Sequence, residues 1–187
     1  MKKALVLLAD GFEDVEAVTP IDYLRRAGIE ITTASISQSL TVTSRWGCIK
    51  MIADVILTEQ ILKKKQADWD AVILPGGKPG AANLAASKEV NELLIEAAAA
   101  GKLICAICAS PAVILAPLGL LKGRKFTCYP GTEEKVAGAN WSQDRVVVDG
   151  NIITSRGAGT AGEFAVAIIG KLLDEAAAKK IAEAVLL

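Results

Sequence analysis

The stretch Leu103-Ile104-Cys105-Ala106-Ile107-Cys108-Ala109-Ser110-Pro111 decides how this chain is interpreted. An apolar run ends at Cys108, small residues follow, and an apolar pattern typical of a helix covers residues 112–116. A buried parallel strand that enters a helix through a tight turn has this order of residue types. The pattern is that of the nucleophile elbow of serine hydrolases, with cysteine in place of serine.

Cys108 would occupy the corner of this elbow, where two physical effects act. The corner lies at the carboxyl edge of a parallel sheet, where open α/β sheets bind their ligands. The positive end of the following helix lowers the pKa of a thiol and favours the thiolate. Cys108 is therefore a candidate nucleophile. The alternative is an inert core residue, because free cysteine is among the residue types most often buried.

The composition is that of an ordinary globular chain without a charge bias. Of 187 residues, 52% are hydrophobic and 22% are charged, and this length suits a single domain, residues 1–187. The 21 basic and 21 acidic residues cancel, which argues against a general attraction to nucleic acids or anionic membranes. No run approaches the roughly 20 apolar residues that span a bilayer, and the first apolar run is too short for a signal peptide. We expect a cytoplasmic protein.

The four cysteines and the absence of histidine narrow the possible chemistry. Cys105 and Cys108 form a C-x-x-C pattern, but a strand would separate them by about 10 Å and direct their side chains to opposite faces. A disulfide needs Cα atoms within about 7 Å. No second C-x-x-C exists, so we expect no metal site. Without histidine, the general base must be Glu, Asp, Lys, Tyr or another Cys.

Alternating strand and helix patterns predict a three-layer α/β domain. Predicted strands cover residues 3–9, 29–36, 40–43, 48–52, 70–74, 102–107, 145–148 and 151–154. Predicted helices cover residues 13–26, 56–66, 78–99, 112–116, 163–173 and 174–185. The Asp149-Gly150 pair predicts a type I′ turn between the last two strands.

Glycines at the ends of the predicted strands suggest two further site elements. Gly76 and Gly77 follow one strand, and their N–H groups are suited to hold an oxyanion, although an ordinary strand-to-helix loop is the simpler interpretation. Gly157, Gly159 and Gly162 form G-x-G-x-x-G between a strand and a helix. No βαβ unit with a ribose-binding acid follows them, so nucleotide binding is disfavoured.

Glu16 is the candidate acid/base and lies one turn into the first predicted helix. A glutamate there is most often an exposed acid that the helix dipole favours. If it points into an apolar cleft instead, its pKa rises and it can share a proton with the Cys108 sulfur. Glu16 would then replace the missing histidine.

These motifs together resemble the ThiJ/PfpI superfamily, and within it the branch of the parkinsonism-associated protein deglycase. The resemblance runs from residue 4 to near the C-terminus. Its carriers are Ala4-Leu5-Val6-Leu7-Leu8-Ala9-Asp10-Gly11-Phe12-Glu13-Asp14-Val15-Glu16, Arg25-Arg26-Ala27-Gly28, Leu74-Pro75-Gly76-Gly77, Ala106-Ile107-Cys108-Ala109 and Thr154-Ser155-Arg156-Gly157-Ala158-Gly159-Thr160. It implies a flavodoxin-like three-layer sandwich of class I glutamine amidotransferase type, with a mostly parallel central sheet, a homodimer and no cofactor.

The resemblance also implies roles for individual residues. Cys108 is the reactive nucleophile, and Glu16 is the protonated acid that touches it. Gly77 and Ala109 supply backbone N–H groups. Arg45 lies near the entrance of the site on the side of the dimer partner.

One departure from the family concerns the residue before Pro130. Many members carry histidine there, whereas this chain has Tyr129, so histidine-assisted amidotransferase or protease chemistry is not expected. We expect Tyr129 and Gly157 to line the substrate pocket.

The resemblance implies two functions that Cys108 and Glu16 can perform without histidine. One is a cofactor-free, glutathione-independent glyoxalase or deglycase, whose partners are small reactive aldehydes such as methylglyoxal and glyoxal or their early protein adducts. The other is an oxidative-stress sensor or redox-regulated chaperone, in which Cys108 is oxidised to sulfinate. A structural domain with an inert Cys108 is the third reading.

Overall fold

The structure, a computed structural model, describes residues 1–58 and 69–187. Its strands are β1 (Lys3–Leu8), β2 (Glu30–Ser35), β3 (Thr41–Thr43), β4 (Lys50–Ile52), β5 (Val55–Ile56), β6 (Ala71–Leu74), β7 (Leu103–Ile107), β8 (Lys125–Phe126), β9 (Asn140–Trp141), β10 (Val146–Asp149) and β11 (Ile152–Ser155). Its α-helices are α1 (Asp14–Arg26), α2 (Lys78–Ala86), α3 (Lys88–Ala99), α4 (Ala161–Leu172) and α5 (Glu175–Ala184). Short 3₁₀ turns cover Glu133–Lys135 and Ala158–Thr160.

Seven strands form the central sheet in the order β10-β11-β7-β6-β1-β2-β5. All neighbouring pairs are parallel except β10 and β11, which form an antiparallel hairpin with Gly150 at a φ of 61° in its turn. The mostly parallel α/β sheet predicted from the sequence is therefore confirmed. Strand β7 lies between β6 and β11. Cys108, the residue after β7, is therefore at the carboxyl edge of the sheet, between the ends of two parallel neighbours.

Strand β7 shows how the sheet separates two cores. Cys105 and Ile107 face a cluster that contains residues of α1, α4 and α5, whereas Ile104 and Ala106 face a second cluster with residues of α2 and α3. Successive side chains of a strand point to opposite faces, and a run that is buried on both faces reads as continuously apolar. Helices therefore cover both faces, as the predicted three layers require.

The long helix predicted for residues 78–99 is two helices, because Ser87 interrupts it. Ser87 has an extended backbone (φ −78°, ψ 123°), and its Oγ accepts a hydrogen bond from the Val90 N–H at 3.3 Å. The Ser87 hydroxyl also donates to Glu89 Oε2 at 2.9 Å. Serine satisfies orphan N–H groups at a helix start better than it propagates a helix, so α3 begins anew after it.

Of two other helix predictions, one is found as a helix of a different type and one is corrected. The segment predicted as a helix after the elbow is a short π-helix, Pro111–Leu115, in which the Ala116 N–H donates to Pro111 O at 3.0 Å. The helix predicted for residues 56–66 is wrong at Ile56, which ends β5 because it pairs with Ser35 of β2. The part of that prediction at residues 59–66 lies outside the described residues.

The remaining predicted elements are found within one or two residues of their expected ends, with α1 continuing through Pro20. Strands β3 and β4 pair as the predicted antiparallel hairpin. Among residues 1–58 and 69–187, no helix is both long and apolar enough to cross a membrane.

Candidate active site

Cys108 follows β7 directly and adopts a φ of 65°, which is rare for a residue with a side chain. Its N–H donates to Ser155 O at 2.9 Å, and its carbonyl accepts the Tyr129 N–H at 2.7 Å. A left-handed backbone costs of order 1–3 kcal/mol and persists only where neighbouring structure imposes it. These two bonds hold the elbow, and the Cys108 side chain is half-buried.

Ser110 ties the elbow to the neighbouring strand. Its buried hydroxyl donates to Pro75 O at 2.6 Å, immediately after β6. The carboxyl ends of β6 and β7 are thus joined by a side chain as well as by the sheet. Ser110 lies within the elbow stretch, two residues after Cys108, but nothing local in the sequence distinguishes it as a link between strands.

Glu16 lies in the first turn of α1 and is 1% exposed. Its Oε2 accepts the Gly76 N–H at 2.9 Å, and its carboxyl is also hydrogen-bonded to the Cys108 side chain. Burial raises the pKa of Glu16 from 4.5 to about 7, and these hydrogen bonds only partly oppose the rise. Both forms of the carboxyl are therefore populated near neutral pH.

Burial, together with the charge and hydrogen bond of Glu16, raises the pKa of the Cys108 thiol to about 12. The backbone N–H groups of Gly77 and Ala109 act in the opposite direction. The expectation that the helix end lowers the pKa of the Cys108 thiol is thus wrong. Desolvation of the thiol raises its pKa by more than the two N–H donors lower it. Protonation of Glu16 removes the repulsion, so the state of one group sets the acidity of the other.

The two glycines after β6 contribute differently from what was expected. The N–H of Gly76 is used by Glu16, whereas that of Gly77 points to the Cys108 sulfur, so Gly76 is not a free oxyanion donor. A Cβ at Gly76 would lie 2.5 Å from Glu16 Oε2 and 2.6 Å from Cys108 Cβ. Gly77 has a φ of 92°, and a Cβ there would overlap the Gly11 carbonyl. Both positions therefore require glycine.

A pocket of about 470 Å³ opens beside the thiol. Cys108, Ala109, Tyr129 and Arg45 line it, as do residues that the sequence analysis had not proposed, notably Lys78 and Lys135. Lys78 was detectable, because it directly follows Gly77 at the end of a strand. The pocket is of a size that holds a small molecule.

Arg45 and Gly157, which were also expected in the site, lie close to Cys108 and Glu16. Arg45 is 3.3 Å from Glu13 Oε2, and its guanidinium lies 4.5 Å from the centre of the Trp46 ring. The Cβ position of Gly157 is 3.5 Å from the Tyr129 ring and 3.8 Å from Glu16 Oε1. The structure thus brings together every residue that the sequence analysis placed in the site.

All four cysteines are free. Cys105 and Cys128 are buried, Cys48 is exposed, and Cys108 packs against the same core cluster as Cys105. Cys108 lies just after the end of β7, so its side chain is not bound by the alternation of strand faces that was expected to separate it from Cys105. The described part of the chain holds no group of three or more potential metal ligands.

The chain is similar to known proteins in both sequence and fold. The family model described as "DJ-1/PfpI family" matches residues 2–171. The Parkinson disease protein 7 homolog of Danio rerio is 40% identical over 96% of this chain and 94% of its own length. The glutathione-independent glyoxalase DJR-1.2 of Caenorhabditis elegans is 35% identical over 91% of this chain and 89% of its own length.

A solved structure of oxidized DJ-1 from Toxoplasma gondii superposes with a TM-score of 0.92 at 38% identity, covering 100% of this chain and 98% of that one. Two Arabidopsis thaliana DJ-1 homologues, 43% and 39% identical over 89% and 97% of this chain, are longer, and the chain spans 37% and 45% of their lengths. The fold is therefore flavodoxin-like, of the class I glutamine amidotransferase type. By its elbow, its sheet and these matches, the chain belongs to the DJ-1/PfpI family.

Proposed function

We propose that this protein is a cofactor-free, glutathione-independent glyoxalase that acts on methylglyoxal and glyoxal, with Cys108 as nucleophile and Glu16 as acid/base. The observation that carries the proposal is the contact between a pocket-lining thiol and a buried carboxyl with a pKa of about 7. Such a carboxyl is suited to both giving and taking protons near neutral pH. The similarity to a protein named a glutathione-independent glyoxalase supports the same reaction.

The first half of the proposed reaction forms a bond between sulfur and the aldehyde carbon of methylglyoxal. Ionised Glu16 accepts the thiol proton as Cys108 attacks, so a free thiolate is not needed in the resting protein. The N–H groups of Gly77 and Ala109, which already point to the sulfur, are placed to stabilise the negative charge that develops beside it. Protonated Glu16 then gives this proton to the oxygen of the former aldehyde, so the product is a hemithioacetal and Glu16 is ionised again.

The second half moves a proton and releases the product. Glu16 removes the proton from the former aldehyde carbon and returns one to the adjacent carbon, which converts the hemithioacetal into a lactoyl thioester. Water then attacks the thioester carbonyl, the carbon–sulfur bond breaks, and the Cys108 sulfur regains its proton. The sum is methylglyoxal plus water giving lactate and a proton, with no external oxidant or cofactor. Early aldehyde adducts of proteins, which carry the same carbonyl chemistry, are the wider substrate class.

The test is lactate formation from methylglyoxal in the absence of glutathione. Cys108→Ser is expected to reduce turnover to background, because a hydroxyl is far less nucleophilic and less acidic than a thiol. Cys48→Ser is the matched control, since Cys48 is an exposed cysteine outside the pocket. Lactate formation by Cys108→Ser at the rate of Cys48→Ser would refute the proposed nucleophile.

A second candidate function is a sensor of oxidative stress in which peroxide converts Cys108 to sulfinate. It is favoured by the half-buried thiol at the pocket and by the similarity to a DJ-1 protein solved in an oxidized form. Two equivalents of peroxide give the sulfinate and two waters. Stoichiometric gain of two oxygens at Cys108 without any lactate turnover would favour this function over the glyoxalase.

We also propose that the protein is a homodimer. Five large apolar side chains are exposed on α1 and on the β3–β4 hairpin, namely Val15, Val18, Trp46, Ile49 and Ile52, and we call them the α1–hairpin patch. The turn of the hairpin lies next to the segment that leads into α1, because the Arg45 N–H donates to Phe12 O at 2.8 Å. An apolar patch of this kind is typical of a protein interface, and a second copy of the chain is the partner that the family resemblance implies.

A further inference from the structure

Gly157 is a glycine for which neither backbone strain nor crowding gives a reason. Its φ is 164°, which is extended backbone that any residue adopts. A Cβ there would make only ordinary contacts, at 3.5 Å to the Tyr129 ring and 3.8 Å to Glu16 Oε1. This differs from Gly76 and Gly77, where a Cβ would collide with the site.

The Cβ position of Gly157 is therefore an atom-sized opening between an aromatic ring and a buried carboxyl oxygen. A water oxygen has the size of the missing methyl group, and a small displacement toward Oε1 would bring it to hydrogen-bond distance. Glu16 Oε2 is already bonded to the Gly76 N–H, so Oε1 is the oxygen that faces this opening.

The opening faces a second pocket. This pocket has a volume of about 330 Å³ and is lined by Tyr129, Pro130, Arg145, Arg156 and residues 157–160. It shares only Tyr129 and Pro130 with the pocket that contains Cys108. Tyr129 thus forms a wall between the space beside the sulfur and the space outside Gly157.

We propose that the opening at Gly157 is the route by which water reaches Glu16, so that substrate and hydrolytic water enter the site from opposite sides of Tyr129. The inference rests on the proposed glyoxalase function for its chemistry. Water that arrives through the opening gives a proton to Glu16 Oε1 as its oxygen attacks the thioester carbonyl. The carbon–sulfur bond then breaks, and Glu16 returns the proton to the Cys108 sulfur. Lactate leaves through the larger pocket.

The test closes the opening with added carbon atoms and follows the acylated protein. Gly157→Ala and Gly157→Val are compared with the same substitutions at Gly159, which lines the same second pocket but where an added Cβ meets nothing within 4 Å, so the comparison tests the opening beside Glu16 and not the pocket as a whole. We expect Gly157→Val to slow lactate release by about tenfold or more, with Gly157→Ala in between. Mass spectrometry of quenched reactions is expected to show lactoyl groups accumulating on Cys108 in the Gly157 variants alone.

A second measurement separates the failure of this inference from the failure of the proposed function. The carboxyl of Glu16, labelled with ¹³C, is titrated by NMR in the wild type and in all four variants without substrate. Loss of water at Oε1 is expected to raise the pKa of Glu16 in Gly157→Val and to leave it unchanged in Gly159→Val. Glu13 and Arg45, whose charges act on this carboxyl, and Cys108, which is hydrogen-bonded to it, are the same in every variant.

The outcomes are distinct. An unchanged Glu16 titration in Gly157→Val overturns the water route, whether or not the protein turns over methylglyoxal, and so does rapid hydrolysis without acyl accumulation. A raised Glu16 pKa with no turnover in the wild type supports the water route and refutes the glyoxalase function. Thermal unfolding of each variant verifies that it is folded before either measurement.

Discussion

Burial, more than charge, determines the protonation of Cys108 and Glu16. It is the largest cause of the raised pKa in both groups, and the two reach about 12 and about 7. A sequence can suggest that these residues meet, but desolvation depends on atoms from β6, β7 and α1 that lie far apart along the chain. We therefore propose that Glu16, rather than a resting thiolate, is the group that makes the pair reactive near neutral pH.

Glu16 is expected to make the wild type less stable as the pH rises from about 4.5 to above 7. Its folded-state pKa lies above the ordinary value of 4.5, so the folded protein binds the extra proton within this range. The stabilisation due to Glu16 is therefore fully present below the ordinary pKa of 4.5 and is lost as the pH rises through the folded-state pKa of about 7. The total loss of unfolding free energy is about 3 kcal/mol. Chemical denaturation at several pH values measures the loss.

Glu16→Gln provides the comparison, because an amide does not titrate. As the pH rises through this range, the unfolding free energy of the wild type should fall by about 3 kcal/mol relative to that of Glu16→Gln. Parallel pH profiles for the two proteins would contradict a buried, titrating Glu16. The same variant is expected to lose lactate turnover, since the amide cannot accept the thiol proton.

The elbow between β7 and the π-helix depends on side-chain bonds as well as on the strand. Ser110 supplies the buried one, from its hydroxyl to Pro75 O at 2.6 Å. Ser110→Ala leaves that carbonyl without this donor and should cost about 1–3 kcal/mol of unfolding free energy. Ser142→Ala removes a bond at the surface and should cost a few tenths at most. Equal effects of the two substitutions would show that the β6–β7 tie does not stabilise the elbow.

Local signals explain which elements could be predicted from the sequence. Asp149-Gly150 specified the β10–β11 turn, and Gly28 ends α1 with a φ of 80°. The division at Ser87 depends on hydrogen bonds to residues two and three positions later, a capping signal that an alanine-rich pattern conceals. The π-helix after Ser110 is defined by the hydrogen bond from the Ala116 N–H to Pro111 O, which joins residues five positions apart instead of four. Hydrophobic periodicity does not predict such a local change.

The topology of the whole molecule assembles the site from distant segments. Parallel strands end at one edge of the sheet, so the residues after β6, β7 and β11 meet there, and α1 adds Glu16. Both core clusters pack on this one sheet, which supports our proposal that residues 1–187 act as one domain. The pocket wall at Tyr129 comes from the segment after β8, outside the sheet.

The α1–hairpin patch leads to a prediction about assembly. Ile52, 76% exposed, is expected to become buried between two copies of the chain. Ile52→Glu should therefore shift the molar mass measured by light scattering from dimer to monomer, because an unpaired charge in an apolar interface is costly. Ile95→Glu, which alters a 52% exposed isoleucine on α3, should leave the dimer intact. A monomeric wild type would refute the proposed dimer.

The sequence by itself determined the fold class and pointed to Cys108 and Glu16 as candidate site residues, but not to Ser110, Lys78 or Lys135. These features can be predicted without coordinates because apolar periodicity and turn glycines are local signals, and the order of the motifs is given directly by the chain. Only the tertiary structure decided the high pKa of the Cys108 thiol, the use of the Gly76 N–H by Glu16, and the opening beside Gly157. The reason is physical: burial and hydrogen bonding at this site are set by segments as far apart along the chain as Glu16 and Gly157, which the sheet brings together.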